Sequence, residues 1–262
     1  MRRGIKTALG ALQPRSTATG ATLLIYHRIG GGTADELDTA PDAFARQLQI
    51  LDRHDVVSLD TALDRLDAGD ARPGVVLTFD DGFADVYHNA WPLLRQRALP
   101  FTIYLASAYI ARPMKWEGST AKGTAGLGLT WGQLSEMVDS GLCTVGNHTH
   151  NHVRPEELTV ADVDACNDQV QAHLGVQPQH FTYPWGIPVA EAEPWLRDRF
   201  RSASTGTLGR NLPDADRLRL RRVPVRRSDP ESFFAAKLAG HLLPERVYGT
   251  LVRTAKAFGA RG

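Results

Sequence analysis

Short apolar runs recur along this chain, each followed by apolar residues at helical spacing, and that alternation leaves few folds available. Thr22-Leu-Leu-Ile-Tyr26 precedes Phe44, Leu48 and Leu51 on one helical face, a helix that Thr39-Ala-Pro-Asp42 opens in the manner of a capping box. Val56-Val-Ser-Leu59 precedes Leu63 and Leu66, and Val75-Val-Leu-Thr-Phe79 precedes Val86, Trp91 and Leu94. The rhythm continues through Phe101–Leu105, a helix from Thr130-Trp131 to Gly141, Cys143–Val145, a helix around Val163–Leu174, and His180–Tyr183. Strands that read as continuous apolar runs are buried on both faces, and their alternation with helices predicts a parallel sheet wrapped by helices.

With 262 residues the chain can close one α/β barrel or form two small domains, and the unbroken rhythm favours a single domain. Residues 1–20 lack periodicity and read as a flexible lead-in, 21–230 as the functional domain, and 231–262 as a C-terminal amphipathic helical extension.

The third apolar run ends abruptly in Asp80-Asp81-Gly82. Adjacent side chains on extended backbone point apart, so these two acids can take different roles. Taken alone, the turn also fits a plain helix cap followed by a glycine at positive φ. Farther on the chain writes Asn147-His-Thr-His-Asn-His152, too polar for a core. His148 and His152, four apart, can grip one ion from the same side of a turn, with Asn147 and Thr149 supporting them; His150 adds ambiguity about the pair, and spacing favours 148 with 152. One carboxylate plus two imidazoles leaves coordination positions open for water and substrate, the arrangement of a metal-assisted hydrolase.

These residues resemble a known family. Thr78-Phe-Asp-Asp-Gly82 and His148-Thr-His-Asn-His152 are similar to the first two motifs of the polysaccharide deacetylases (the NodB-homology domain, carbohydrate esterase family 4), and Phe181-Thr-Tyr-Pro-Trp-Gly186 is similar to the third. Leu129-Thr-Trp-Gly-Gln-Leu134 adds to the likeness, which runs over roughly residues 22 to 227. The resemblance implies a distorted (β/α)7–8 barrel in which Asp80 is the catalytic base and Asp81, His148 and His152 bind one divalent metal ion. Zinc is the default for such ligands, with cobalt, nickel, manganese or iron also accepted. Tyr183, Pro184, Trp185 and Gly186 are expected at the substrate, where a backbone N–H of this stretch would hold an oxyanion.

Two departures from the family pattern matter. No Arg precedes Tyr183-Pro184, and the nearest substitute for the arginine that orients the base is Arg222, in Leu218-Arg-Leu-Arg-Arg-Val223. The late strand ending in histidine that supplies the general acid is also missing, and His241 is a poor stand-in within an apparent amphipathic helix. Leu23-Leu-Ile-Tyr-His27 has that character at the other end of the chain. Some exopolysaccharide deacetylases of the family have this circularly permuted order, which makes His27 the candidate acid. Trp116, Trp131, Trp91 and Trp195 read as packing residues, and Met114 and Lys115 as part of a substrate loop.

The implied substrate is an N-acetylated oligo- or polysaccharide, of GlcNAc-type exopolysaccharide or its lipid-linked precursor. The competing readings are a small non-sugar amide hydrolysed in the same site, and a catalytically dead carbohydrate-binding protein. A formal charge of +1, from 30 basic and 29 acidic residues, gives no electrostatic case for nucleic acid. The chain from Asn211 onward holds eleven basic residues against five acids, a basic excess open to peripheral membrane contact. No export signal or membrane span is evident, so a cytoplasmic or membrane-peripheral place is expected. The two cysteines, Cys143 and Cys166, read as small buried apolar residues.

Overall fold

The computed structural model describes residues 4, 6, 7, 18–116, 118–120 and 126–257. Most of the expected lead-in at 1–20, and the last five residues, lie outside them. Seven parallel strands close into a barrel in the order β1 (Ala21–Tyr26), β4 (Gly74–Asp81), β5 (Phe101–Leu105), β6 (Cys143–Asn147), β7 (His180–Thr182), β8 (Ser202–Leu208) and β9 (Leu220–Pro224), with β9 returning to β1. A small pair, β2 (Arg28–Ile29) and β3 (Asp38–Thr39), sits beside it. Every residue of β1 and β4 is buried, because one face fills the barrel and the other lies under helices.

The covering helices begin and end where local chemistry dictates. Helix α4 (Trp131–Asp139) starts in a complete capping box, Thr130 accepting from the Gln133 N–H while the Gln133 side chain accepts from the Thr130 N–H. Helix α5 (Val160–Leu174) is capped by Thr159 and stops at Gly175 in the left-handed conformation. Helix α1 (Pro41–Leu51) corrects the expected capping box at 39–42: Thr39 is held in the β3 ladder, and Pro41, with φ already fixed near its helical value, begins the helix with no side-chain cap.

Val56–Leu59 is likewise not a strand. Only Val56 bridges, to Val75, because Ser58 turns away to accept from the Thr61 N–H and open α2 (Leu59–Asp67). Strands β8 and β9 take up the closure instead. In β8, Ser202, Ser204 and Thr205 are fully buried, and hydrogen bonds satisfy them: Ser202 Oγ with His180 Nδ1 (2.9 Å), Ser204 Oγ with the Tyr104 hydroxyl (3.2 Å), and Thr205 Oγ1 to the Leu220 carbonyl (3.2 Å).

The C-terminal extension is two helices, α7 (Glu231–Leu238) and α8 (Leu243–Ala257), and α7 buries Phe233, Phe234 and Leu238. His241 lies between the two and not within a helix. Much of the basic excess of this region is consumed internally: Arg217 pairs with Asp67, Arg219 with Glu193, Arg222 with Asp80, Arg226 with Glu245, and Lys237 with Asp229. Both cysteines are free and buried. Among the described residues no helix is long and apolar enough to cross a membrane.

Candidate active site

A cavity of about 280 Å³ is lined by residues from several strand ends, including His27 after β1, Asp80 and Asp81 closing β4, His148 and His152 after β6, Trp185 and Gly186 after β7, and Arg222 from β9. Side chains at these ends converge because every strand runs the same way.

The two aspartates do not simply alternate. Asp81 has φ +74°, a left-handed backbone that brings its carboxylate into the same cavity as that of Asp80. The next residue must be glycine: Gly82 has φ +90°, and a Cβ there would sit 2.6 Å from Leu105 Cδ1. Of the six non-glycine residues at positive φ among the described residues, four are at the site: Asp81, Thr149, His152 and Trp185. Strain concentrated in this way is typical of a place where side-chain direction outweighs backbone comfort.

Asp80 is 3% exposed and meets Arg222, itself 1% exposed, in a bidentate pair with Nη1–Oδ1 at 2.7 Å and Nη2–Oδ2 at 2.8 Å. Arg222 is fixed in turn by donating Nε to the Thr205 carbonyl (3.0 Å), and its guanidinium lies over the Tyr104 ring. Burial pushes the Asp80 carboxyl up, but the charges of Arg222, His27 and His148 outweigh it and hold the group below the usual carboxylate range.

Asp81 Oδ1 faces both imidazoles, 3.4 Å from Nε2 of His148 and 3.4 Å from Nε2 of His152. Burial again works against ionisation, and the two histidine contacts bring the Asp81 carboxyl well below its ordinary value. His148 Nδ1 lies 2.8 Å from the Thr182 carbonyl, which can only accept, so Nδ1 carries the proton and Nε2 keeps its lone pair for the cavity. Asp81 Oδ1 is buried without a hydrogen-bond partner, and so is His152 Nδ1. One ligand atom from each of Asp81, His148 and His152 lies within 4.8 Å of the others, a set that fits a divalent cation.

The ambiguity of the histidine run is resolved by the turn. His150 leaves the cluster, its Nδ1 2.8 Å from Ser107 Oγ. Asn147 braces the loop, its amide donating to the Val163 carbonyl and Asn167 Oδ1 while its oxygen accepts from the Thr149 N–H. The Thr149 hydroxyl is buried without a partner and bonds to neither imidazole.

The third stretch divides. Trp185, 40% exposed, and Gly186 line the cavity, but neither Tyr183 nor Pro184 does. The Tyr183 ring is fully buried against Phe181, in a layer with Phe200 and Leu196, so it cannot wall the substrate. The Tyr183 N–H donates to the Ser204 carbonyl and that of Gly186 to the Tyr183 carbonyl, and proline has none, which leaves the Trp185 N–H as the candidate oxyanion donor of this stretch among the described residues. His27 shares the cavity, its Nδ1 buried without a partner; His241 does not line it.

Sequence reasoning missed several wall residues. Trp116, read as packing, stacks on His152 with ring centroids 4.5 Å apart and lines the cavity, as do Leu37 and Thr120. An aromatic followed by glycine and hydroxyl residues was the available signal.

A family model for polysaccharide deacetylase matches residues 68–195, a span holding both aspartates and the histidine run. Over that span the chain is similar to the polysaccharide deacetylase family. Among solved structures it is similar to IcaB from Ammonifex degensii, at 28% identity and TM-score 0.71, covering 86% of this chain and 98% of that one. The deacetylase PplD of Streptococcus pyogenes in complex with acetate (21% identity, TM-score 0.66, 90% and 99% covered) shares the fold. So does the BpsB deacetylase domain of Bordetella bronchiseptica (18% identity, TM-score 0.61, 81% and 98% covered). No curated protein matches the chain. The barrel, the family and the general class of carbohydrate deacetylase therefore agree.

Proposed function

We propose that this protein is a metal-dependent N-deacetylase that hydrolyses the acetamide of GlcNAc-type units in an exopolysaccharide or its lipid-linked precursor. The observation that supports it most is the pairing of unlike carboxylates: Asp80 neutralised by Arg222, and next to it Asp81 with an unpartnered oxygen facing two imidazole nitrogens.

Asp81, His148 and His152 would hold the ion, zinc by ligand type. The chemistry such an ion supplies when bound is polarisation of the acetamide carbonyl and acidification of water. Asp80, ionised and aimed by Arg222, takes the proton of the attacking water. The Trp185 N–H would donate to the oxyanion that forms as water adds to the carbonyl carbon. His27 gives a proton to the departing nitrogen as the C–N bond breaks, leaving acetate and the free amine. Trp185 and Trp116 offer ring faces at the cavity mouth for a sugar.

Acetate release from N-acetylglucosamine oligomers and from undecaprenyl-linked N-acetyl sugars, with and without chelator, tests reaction, substrate class and metal need together. The proposal requires release that chelator stops and added zinc restores. Hydrolysis of a cyclic ureide or formamide alone, with no acetate from any sugar, would move the chemistry to a small amide.

A further inference from the structure

Part of the cavity wall comes from Trp116 and residues 118–120, with Gly118, Ser119 and Thr120 at its surface. This wall is tied to the rest of the site by a side chain that the mechanism above does not use. Arg28, the residue after His27, is 3% exposed. It donates Nε to Asp85 Oδ2 at 2.7 Å, Nη1 to the Thr120 carbonyl at 3.3 Å and Nη2 to the Gly31 carbonyl at 3.4 Å, and its guanidinium lies over the Phe83 ring, 4.7 Å from the centroid. Phe83 touches Trp116, which stacks on His152. The second oxygen of Asp85 accepts from the Ile29 N–H at 3.1 Å. One guanidinium thus joins the strand end that carries His27, the turn that follows Asp81 and the wall that carries Trp116 and Thr120.

The wall has a polar group to offer. Thr120 is 4% exposed, lines the cavity, and its Oγ1 has no hydrogen-bond partner, although a buried hydroxyl ordinarily finds one. Gly31 makes room for the arrangement: a Cβ there would lie 2.2 Å from both Cζ and Nε of Arg28.

We propose that Arg28 is a positioning residue that seats the wall carrying Trp116 and Thr120 against His152, and that the seated wall binds the sugar through the Thr120 hydroxyl. Arg28 therefore governs substrate affinity more than the chemical step. The inference rests on the reading of the site as a sugar deacetylase, and its test has one arm that does not depend on activity. Arg suits the task because its planar fork reaches a carboxylate and carbonyls at once, which a lysine ammonium does only in part.

The full chain is compared with Arg28→Met, Arg28→Lys, Gly31→Ala and Thr120→Val in two measurements: KM and kcat for acetate release from an N-acetylglucosamine oligomer, and the rate of tryptic cleavage after Lys115, located by mass spectrometry. Arg28→Met and Gly31→Ala are expected to raise KM about tenfold with kcat within about threefold, and to speed cleavage after Lys115. Arg28→Lys recovers part of both losses. Thr120→Val raises KM and leaves cleavage as in the unaltered protein. Gly31→Ala keeps the arginine and its charge, so it carries the test if Arg28→Met does not fold. Unaltered KM and cleavage in Arg28→Met and Gly31→Ala overturn the proposal, as does a loss confined to kcat. If the unaltered chain releases no acetate, the sugar reading fails, and cleavage alone decides whether Arg28 seats the wall.

Discussion

Strand β9 stands between two clusters of buried charge that are completed in different ways. Beyond its end, Asp229 receives Lys6 at 2.7 Å, Lys237 at 2.6 Å and the Arg226 N–H at 3.0 Å, and Lys237 also reaches the Pro224 carbonyl and Glu245. Acids and bases there answer one another, and the cluster clamps the C-terminal helices to the barrel. At the cavity, Asp81 Oδ1 has no hydrogen-bond partner and lies 3.4 Å from Nε2 of both His148 and His152. A cluster closed by its own side chains is a fastening, whereas one whose ligand atoms converge on a point fits a cation, and that difference separates the structural charges from the candidate catalytic ones.

The comparison breaks first at Asp80. Asp80→Asn keeps the shape of the site and one of the two contacts to Arg222, since an amide has a single acceptor oxygen, but it cannot take a proton, so kcat for acetate release should fall by about 10²-fold or more while metal uptake is unchanged. Turnover at the ordinary rate would end the assignment of the base. Removing one partner from either buried cluster should destabilise, but unequally: Arg222→Met strands Asp80 and should cost roughly 3–5 kcal/mol in urea unfolding, whereas Lys237→Met leaves Asp229 with Lys6 and Glu245 with Arg226 and should cost less. They should part in catalysis, because Lys237→Met leaves kcat per folded molecule intact and Arg222→Met does not. Equal catalytic loss from both would erase the distinction.

The smallest effect concerns a third, partly exposed group. The Asp60 carboxyl is lowered to about 2, first by His180, whose Nε2 lies 3.3 Å from it, and then by the Arg201 guanidinium. A carboxylate lowered in the folded state adds stability that is complete above its unfolded value, near 3.8, and is lost as pH falls toward 2. Because Asp60 is half exposed, solvent screening keeps this below about 1 kcal/mol. Urea midpoints of Asp60→Asn and the unaltered protein should therefore differ slightly at pH 7 and converge in acid. A gap that widens in acid would contradict the sign.

How far the sequence could be read follows from what each part buries. Strands β1, β4 and β5 were legible because parallel strands covered on both faces are written in Val, Leu, Ile and Phe. Strand β8 was not, since Ser202, Ser204 and Thr205 are buried through hydrogen bonds that apolar patterning does not register. Val56–Leu59 misled for the opposite reason, an apolar run whose Ser58 was already committed to a helix cap. At the site, Asp80, Asp81, His148 and His152 lie in two compact motifs and were found by residue type and spacing. Arg222 sits far along the chain from Asp80, and no local motif ties the two together. Tyr183 was misplaced because a motif does not say which of its side chains turn inward. The left-handed backbone at Asp81 and His152, which aims the ligands, leaves no mark in composition.

The account depends most on the cation, and calorimetric titration of metal-free protein with zinc tests it directly. The unaltered chain and Asp80→Asn should each bind one ion with similar affinity, and Asp81→Asn and His148→Gln should show no measurable binding. Zinc binding by Asp81→Asn as tight as in the unaltered chain would contradict the account.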